Sequence, residues 1–157
     1  MPSTHHIAQF NVARMLVPLE EPAMADFVAG LDPVNELADR TPGFVWRLKG
    51  EDEGAAKTTD IRPYDPDMIV TMSVWETPEQ LWEFVYRSGH LEYLRRRQDW
   101  FAHTAEIAQV LWWLPAGHIP SVAEGRQRLD HLREHGPTAY AFTFRTRFPA
   151  PTGAEVA

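Results

Sequence analysis

The chain has no cysteine, which removes disulfides, thiol nucleophiles, thiolate zinc sites and iron–sulfur clusters together. Basic charge is scarce: 15 lysines and arginines face 22 aspartates and glutamates, for a formal charge of −7. No cationic stripe interleaved with aromatics offsets that charge, so nucleic acid is disfavoured as a partner. No apolar run approaches the roughly 18 residues of a spanning helix, and MPSTHHIAQF lacks a basic segment followed by an apolar one; the expectation is a cytoplasmic protein with no membrane partner. GxSxG, glycine–lysine phosphate loops and a helix-opening GxGxxG are also missing. Hydrolase, kinase and nicotinamide-dehydrogenase readings fall with them. What is present is 157 residues, 44% hydrophobic and 11% aromatic, enough for one domain with a core of its own. Any chemistry rests on His, carboxylates, Tyr, Trp or a borrowed cofactor.

Residues His5 to Ala13 alternate as a strand, with His6, Ala8, Phe10 and Val12 on one face and His5, Ile7, Gln9 and Asn11 on the other. The second face mixes apolar and amide groups. Phe27, Leu31, Val34 and Leu37 recur at helical spacing between Pro22 and Arg40, and Asp32-Pro33 predicts a helix restart there. Gly43 to Lys49 reads as a second strand and Met68 to Trp75 as a third. Between them, residues 50–67 are acidic, marked by Gly and Pro and nearly aperiodic, which predicts a long, exposed, mobile loop, either a lid or rim over the cavity or a disordered insertion. Thr77-Pro78-Glu79-Gln80 caps a helix whose buried stripe is Leu81, Phe84 and Val85. A further helix follows Ser88-Gly89, from His90 to about Phe101, and Ile107 to Leu114 is a fourth strand. Ser121 and Glu124 form a second capping box, Gly136-Pro137 stops that helix, and Thr138 to Arg145 alternates as a fifth strand. Helix and fifth strand make up an added C-terminal unit, 121–145.

The first six elements follow the split βαβ order of a ferredoxin-like α+β domain, an antiparallel sheet with helices on one face. The other face would be bare and apolar, carrying Trp46 and part of the fourth strand, and two such faces packed together would give a homodimeric barrel. The segments AQFNVA, LDPVNELADRTPGFVWRL, SVWETPEQLWEFVYRSGH, LEYLRRRQDWF, LWWLPAGHIP and RLDHLREHGPTAYAFTF together resemble the family called domain of unknown function 3291, over nearly the whole chain. Its PGFVWRL and SVWET…H segments are similar, at fold level, to the dimeric α/β-barrel superfamily of the antibiotic-biosynthesis monooxygenases. That resemblance implies a homodimer holding small hydrophobic molecules. Superfamily members are cofactor-free oxygenases, isomerases, haem enzymes or plain binders, so the fold alone does not choose the reaction.

Asn11, Trp46 and Trp75 are candidates to orient a planar aromatic substrate and hydrogen-bond a charged oxygen, as an Asn and a Trp do in the cofactor-free relatives; as ordinary core, the indoles would only pack. His90, at a helix start after Ser88-Gly89, can serve as a base, a substrate anchor or an axial haem ligand, or simply bond the backbone. Tyr93, Arg96, Arg97 and Trp100 share its helix. Trp112 and Trp113 alternate across the sheet, so one indole faces each side and the pair favours a flat apolar ligand. His131 and His135 have helical metal-ligand spacing but no third ligand, and His5-His6 point to opposite faces, so no metal site is expected. His118 lies in a turn. Three functions follow: a monooxygenase-like or isomerase-like enzyme without a cofactor, a haem protein, and a non-catalytic small-molecule binding module.

Overall fold

A computed structural model describes residues 4–151. The elements are β1 (His5–Arg14), α1 (Ala25–Arg40), β2 (Phe44–Arg47), β3 (Met68–Trp75), α2 (Pro78–Arg87), α3 (His90–Arg95), α4 (Arg97–Trp100), β4 (Gln109–Pro115) and α5 (Val122–His135). The strands form one antiparallel sheet in the order β2-β3-β1-β4, the ferredoxin-like arrangement. Two of its helix starts are written in single side chains: Thr77 Oγ1 accepts the Gln80 amide at 3.2 Å, and Ser121 Oγ accepts that of Glu124 at 3.2 Å.

α1 to α4 lie on one face. There Ile7, Trp75 and Leu111 pack against Ala38 of α1 and Leu81 and Phe84 of α2, while Met15 and Ile69 pack with Met24 and Trp100. α1 does not restart at Pro33 but runs through it. The proline deprives the Ala29 carbonyl of a partner, yet Val34, Leu37 and Ala38 continue the stripe that docks on Trp75 and Leu81, and this packing keeps one axis. The helix expected from His90 to Phe101 is instead two short ones, broken at Arg96.

The opposite face is the larger correction. It is not bare: α5 lies across it, with Val122, Leu129 and Leu132 packed on Ala8, Phe10, Val12, Val110, Trp112 and Leu114. Gly125 faces Phe10 so closely that a Cβ there would stand 2.6 Å from the ring. Helices thus cover both faces, and the uncovered surface that argued for sheet-to-sheet pairing is taken by this chain's own helix. Segment 50–67 lies on the same side. It is not a featureless exposed loop, because two short 3-10 turns, Gly50–Glu53 and Thr58–Asp60, start where Asp52 and Asp60 accept the amides of Lys49 and Lys57 at 2.9 and 3.1 Å. Ile61 enters the core beside Val70 and Met72, and Glu53 accepts the Val122 amide at 3.2 Å, which ties the segment to the start of α5.

The fifth strand does not form. Thr138 to Arg145 makes only isolated bridges, Thr138 with Ala141 and Phe142 with Leu111 on the free edge of β4. Phe142 is wholly buried, and Phe148 follows it over Trp113, whose Nε1 donates to the Phe148 carbonyl at 2.8 Å. These side chains hold the segment as a strap, and an extended ladder is not needed. Among the described residues, no helix is long and apolar enough to cross a membrane.

Candidate functional site

Directly opposed residues of an antiparallel sheet share a face. Under the helices of α1 to α4 the register sets three rows: Trp75–Ile7–Trp113, Ser73–Gln9–Leu111 and Thr71–Asn11–Gln109. The first row belongs to the apolar cluster around Phe84, and Ile69 and Met15 begin the other cluster. Between them runs a polar strip of Gln9, Asn11, Thr71, Ser73 and Gln109. Thr71 is exposed and Asn11, Ser73 and Gln109 are half-buried, while Gln9 is buried. Arg47, the last residue of β2, stands opposite Ser73. The sheet face here carries amides and hydroxyls between two aromatic clusters.

The floor is wired. Trp75 Nε1 donates to Ser73 Oγ at 2.9 Å, Gln9 Nε2 donates to the same oxygen at 3.0 Å, and Gln109 Nε2 donates to Gln9 Oε1 at 3.3 Å. The Asn11 amide makes no side-chain hydrogen bond among the described residues. Trp75 is wholly buried, stacked on Phe84 at 5.2 Å and met edge-on by Phe44 at 5.4 Å.

His90 stands at the junction of α2 and α3. Ser88 Oγ donates to the Phe84 carbonyl and accepts the His90 amide at 3.1 Å, and His90 Nδ1 lies 3.2 Å from the Val85 carbonyl. Ser88 and His90 thereby satisfy two of the carbonyls that the end of α2 leaves open. A carbonyl only accepts, so Nδ1 carries the proton and Nε2 the lone pair. Among the described residues nothing bonds Nε2. Burial lowers the His90 pKa, and the bond to Val85 opposes that shift only partly, so the ring is neutral at pH 7. Its ring sits 5.1 Å from Phe84, which links it through Trp75 to Ser73.

The structure places Asn11, Trp75 and Trp113 on the sheet face under α1 to α4, His90 beside Phe84, and Tyr93 in the separate cluster of Met24 and Trp100. Tyr93 packs near Trp100 at 6.0 Å and fills the space beside Gly30. Trp46 and Trp112 are on the other face, so the two do not join Asn11 and Trp75 around one cavity. Trp112 Nε1 donates to Glu124 at 3.0 Å, and the second oxygen of Glu124 meets His118 Nε2 at 2.8 Å. His131 and His135 meet at 4.4 Å, tilted by 42°, beside Tyr140, and no group of three or more metal-ligating side chains exists among the described residues. Sequence reasoning missed Gln9, Thr71, Ser73 and Gln109. The signal was there in part: β1 alternates amides at 9 and 11, and β3 alternates hydroxyls at 71 and 73.

A haem on His90 would need two opposed apolar walls beside Nε2. The nearby notch at Gly89, about 360 Å³, is lined by Asp26, Glu92, Tyr93 and Arg96 and not by His90, and the apolar side of the His90 ring is taken by Phe84, itself stacked on Trp75. These residues do not fit the group.

A ferredoxin-like α+β domain with a polar strip on its helix-covered sheet face is the class this geometry defines. The chain belongs to the family described as domain of unknown function 3291, whose model matches residues 6–157. No curated protein matches it in sequence. Among solved structures it is similar to SnoaB, a cofactor-independent oxygenase from Streptomyces nogalater, at 14% identity and a TM-score of 0.47 over 74% of this chain and 97% of that one. It is also similar to PA3566 from Pseudomonas aeruginosa, at 11% identity and a TM-score of 0.49 over 75% of this chain and 99% of that one. NE2512, a protein of unknown function from Nitrosomonas europaea, gives 12% and 0.46 over 75% and 97%.

Proposed function

We propose that a crevice over the polar strip binds a small, flat, hydrophobic molecule with an acidic C–H or O–H and that the protein acts on it as a cofactor-independent enzyme. His90 Nε2 takes the proton, and the Asn11 amide donates to the oxygen that gains charge. Trp75, wholly buried, holds the Ser73 hydroxyl in place from behind, and Trp113 bounds the layer at the edge of β4. Proton removal of this kind begins both monooxygenase-like and isomerase-like conversions, so the crevice serves either class. The reading rests on one observation: a half-buried histidine whose Nδ1 meets the Val85 carbonyl at 3.2 Å, which leaves Nε2 without a partner among the described residues.

The test is a panel of 1,3-diketones and phenols, followed for binding by titration, for C–H exchange by NMR in D₂O, and for oxygen uptake. Turnover of one class is expected, falling about 10²–10⁴-fold in His90→Gln and less in Asn11→Ala. Binding without exchange or uptake would leave a non-catalytic binding module. Exchange undiminished in His90→Gln would refute the assignment of the base.

A further inference from the structure

We infer that the Ser73 hydroxyl is the crevice's dedicated hydrogen-bond donor to a negatively charged or strongly polarised oxygen on the ligand, such as a phenolate or enolate. This deepens the function proposed above and rests on it. A serine hydroxyl has one proton to give and two lone pairs to fill. Both lone pairs of Ser73 Oγ are engaged, by Trp75 Nε1 at 2.9 Å and Gln9 Nε2 at 3.0 Å. The indole can act only as a donor, so at least that bond has a fixed direction. Gln109 extends the run by donating to Gln9 Oε1 at 3.3 Å. Two N–H groups thus converge on Ser73 Oγ, with a third behind Gln9, and among the described residues its own proton has no hydrogen-bond acceptor.

Two donors on one hydroxyl draw electron density toward its lone pairs, which polarises the O–H and makes it a better donor. Ser73 is half-buried, so its proton is shielded and still within reach of a ligand. The charge around it agrees. The residue opposite Ser73 on β2 is Arg47, whose guanidinium is held by Asp39 at 2.8 Å, and no carboxylate on the strip competes for the proton. Neutral Gln9, Asn11, Thr71 and Gln109 complete the floor. A ligand that carries an anionic oxygen therefore finds a preset donor at Ser73, with Asn11 one row away.

The probes are 4-nitrophenol, whose visible absorbance reports ionisation, and nitrobenzene, which has the same ring without the phenolic oxygen. With the full chain, 4-nitrophenolate is expected to bind more tightly than nitrobenzene, and the pKa of the bound phenol to fall by about one unit. Ser73→Ala should weaken 4-nitrophenolate binding about tenfold or more and leave nitrobenzene unchanged. Trp75→Phe, which keeps a ring but loses the N–H, should take away part of the pKa shift. Gln9→Glu, which offers Ser73 an acceptor in place of a donor, should abolish it; circular dichroism and melting confirm that each variant folds. If nitrobenzene binds and phenolate is not preferred, or Ser73→Ala keeps the preference, the assignment of Ser73 is overturned and the crevice stands. That is also the result expected if the Gln9 amide is turned so that Ser73 donates to it. If neither probe binds, the crevice is not a small-molecule site and the role of Ser73 falls with it.

Discussion

Gly125→Ala decides by its sign whether α5 truly seals the sheet. In an exposed helix interior, replacing glycine by alanine stabilises by about 0.8–1 kcal/mol, because glycine loses more backbone freedom on folding. Here the new Cβ would stand 2.6 Å from Phe10 Cδ1 and 2.7 Å from Cγ, distances at which something must move. Phe10 has no free space to move into, being wholly buried among Val12, Val110 and Leu129. Overpacking a filled core costs about 1–3 kcal/mol, so the clash exceeds the gain in helix propensity. We expect a net loss of about 1 kcal/mol for Gly125→Ala and about 3 kcal/mol for Gly125→Val, whose branched side chain adds volume and has a weaker helix preference. For a chain of this size each kcal/mol moves the melting temperature by about 2–4 °C. Urea denaturation followed by tryptophan fluorescence, with unchanged m, gives the energies directly. An alanine variant as stable as the parent, or more stable, would refute the reasoning and show that α5 does not rest on Phe10.

His90 supplies a pH signature. Burial lowers its pKa below the unfolded value, so below pH 6.5 the unfolded chain binds more protons than the native one, and stability falls as pH falls. The slope from this group is at most about 1.4 kcal/mol per pH unit, and His90→Phe should remove it from the difference between melts at pH 7 and 5. Phe142→Ala empties a wholly buried site under the strap and should cost about 3–5 kcal/mol by denaturant titration; a cost below 1 kcal/mol would mean the strap is not docked. Glu124→Ala removes the acceptor of the buried Trp112 indole and should cost about 1–3 kcal/mol, with Glu124→Gln recovering much of it in the same assay.

Periodicity and capping carried most of the fold. The strands around Phe10, Trp75 and Trp112 read as short, strongly apolar runs because each is buried on two sides by different layers, and Thr77 and Ser121 mark helix starts through bonds made within one turn. What escaped was non-local. Leu129 and Leu132 show that α5 has an apolar side, but not that it docks on Phe10; that depends on Gly125 leaving room. Phe142 alternates with its neighbours as a strand residue would, yet packing against Leu111 and Phe148 holds it without a ladder. At the site, Asn11 and Trp75 were legible as residue types. The hydroxyl of Ser73 was not, since its meaning comes from Trp75 and from Gln9, which is 64 residues away in sequence.

Two sheets that cover one another from separate chains do so only as far as concentration permits, and dilution uncovers them. α5 covers its sheet within one chain, tethered at its start by Glu53 and Ser121. The cover over the apolar surface of β1 and β4 is therefore set by an equilibrium within the chain, which contains no concentration term.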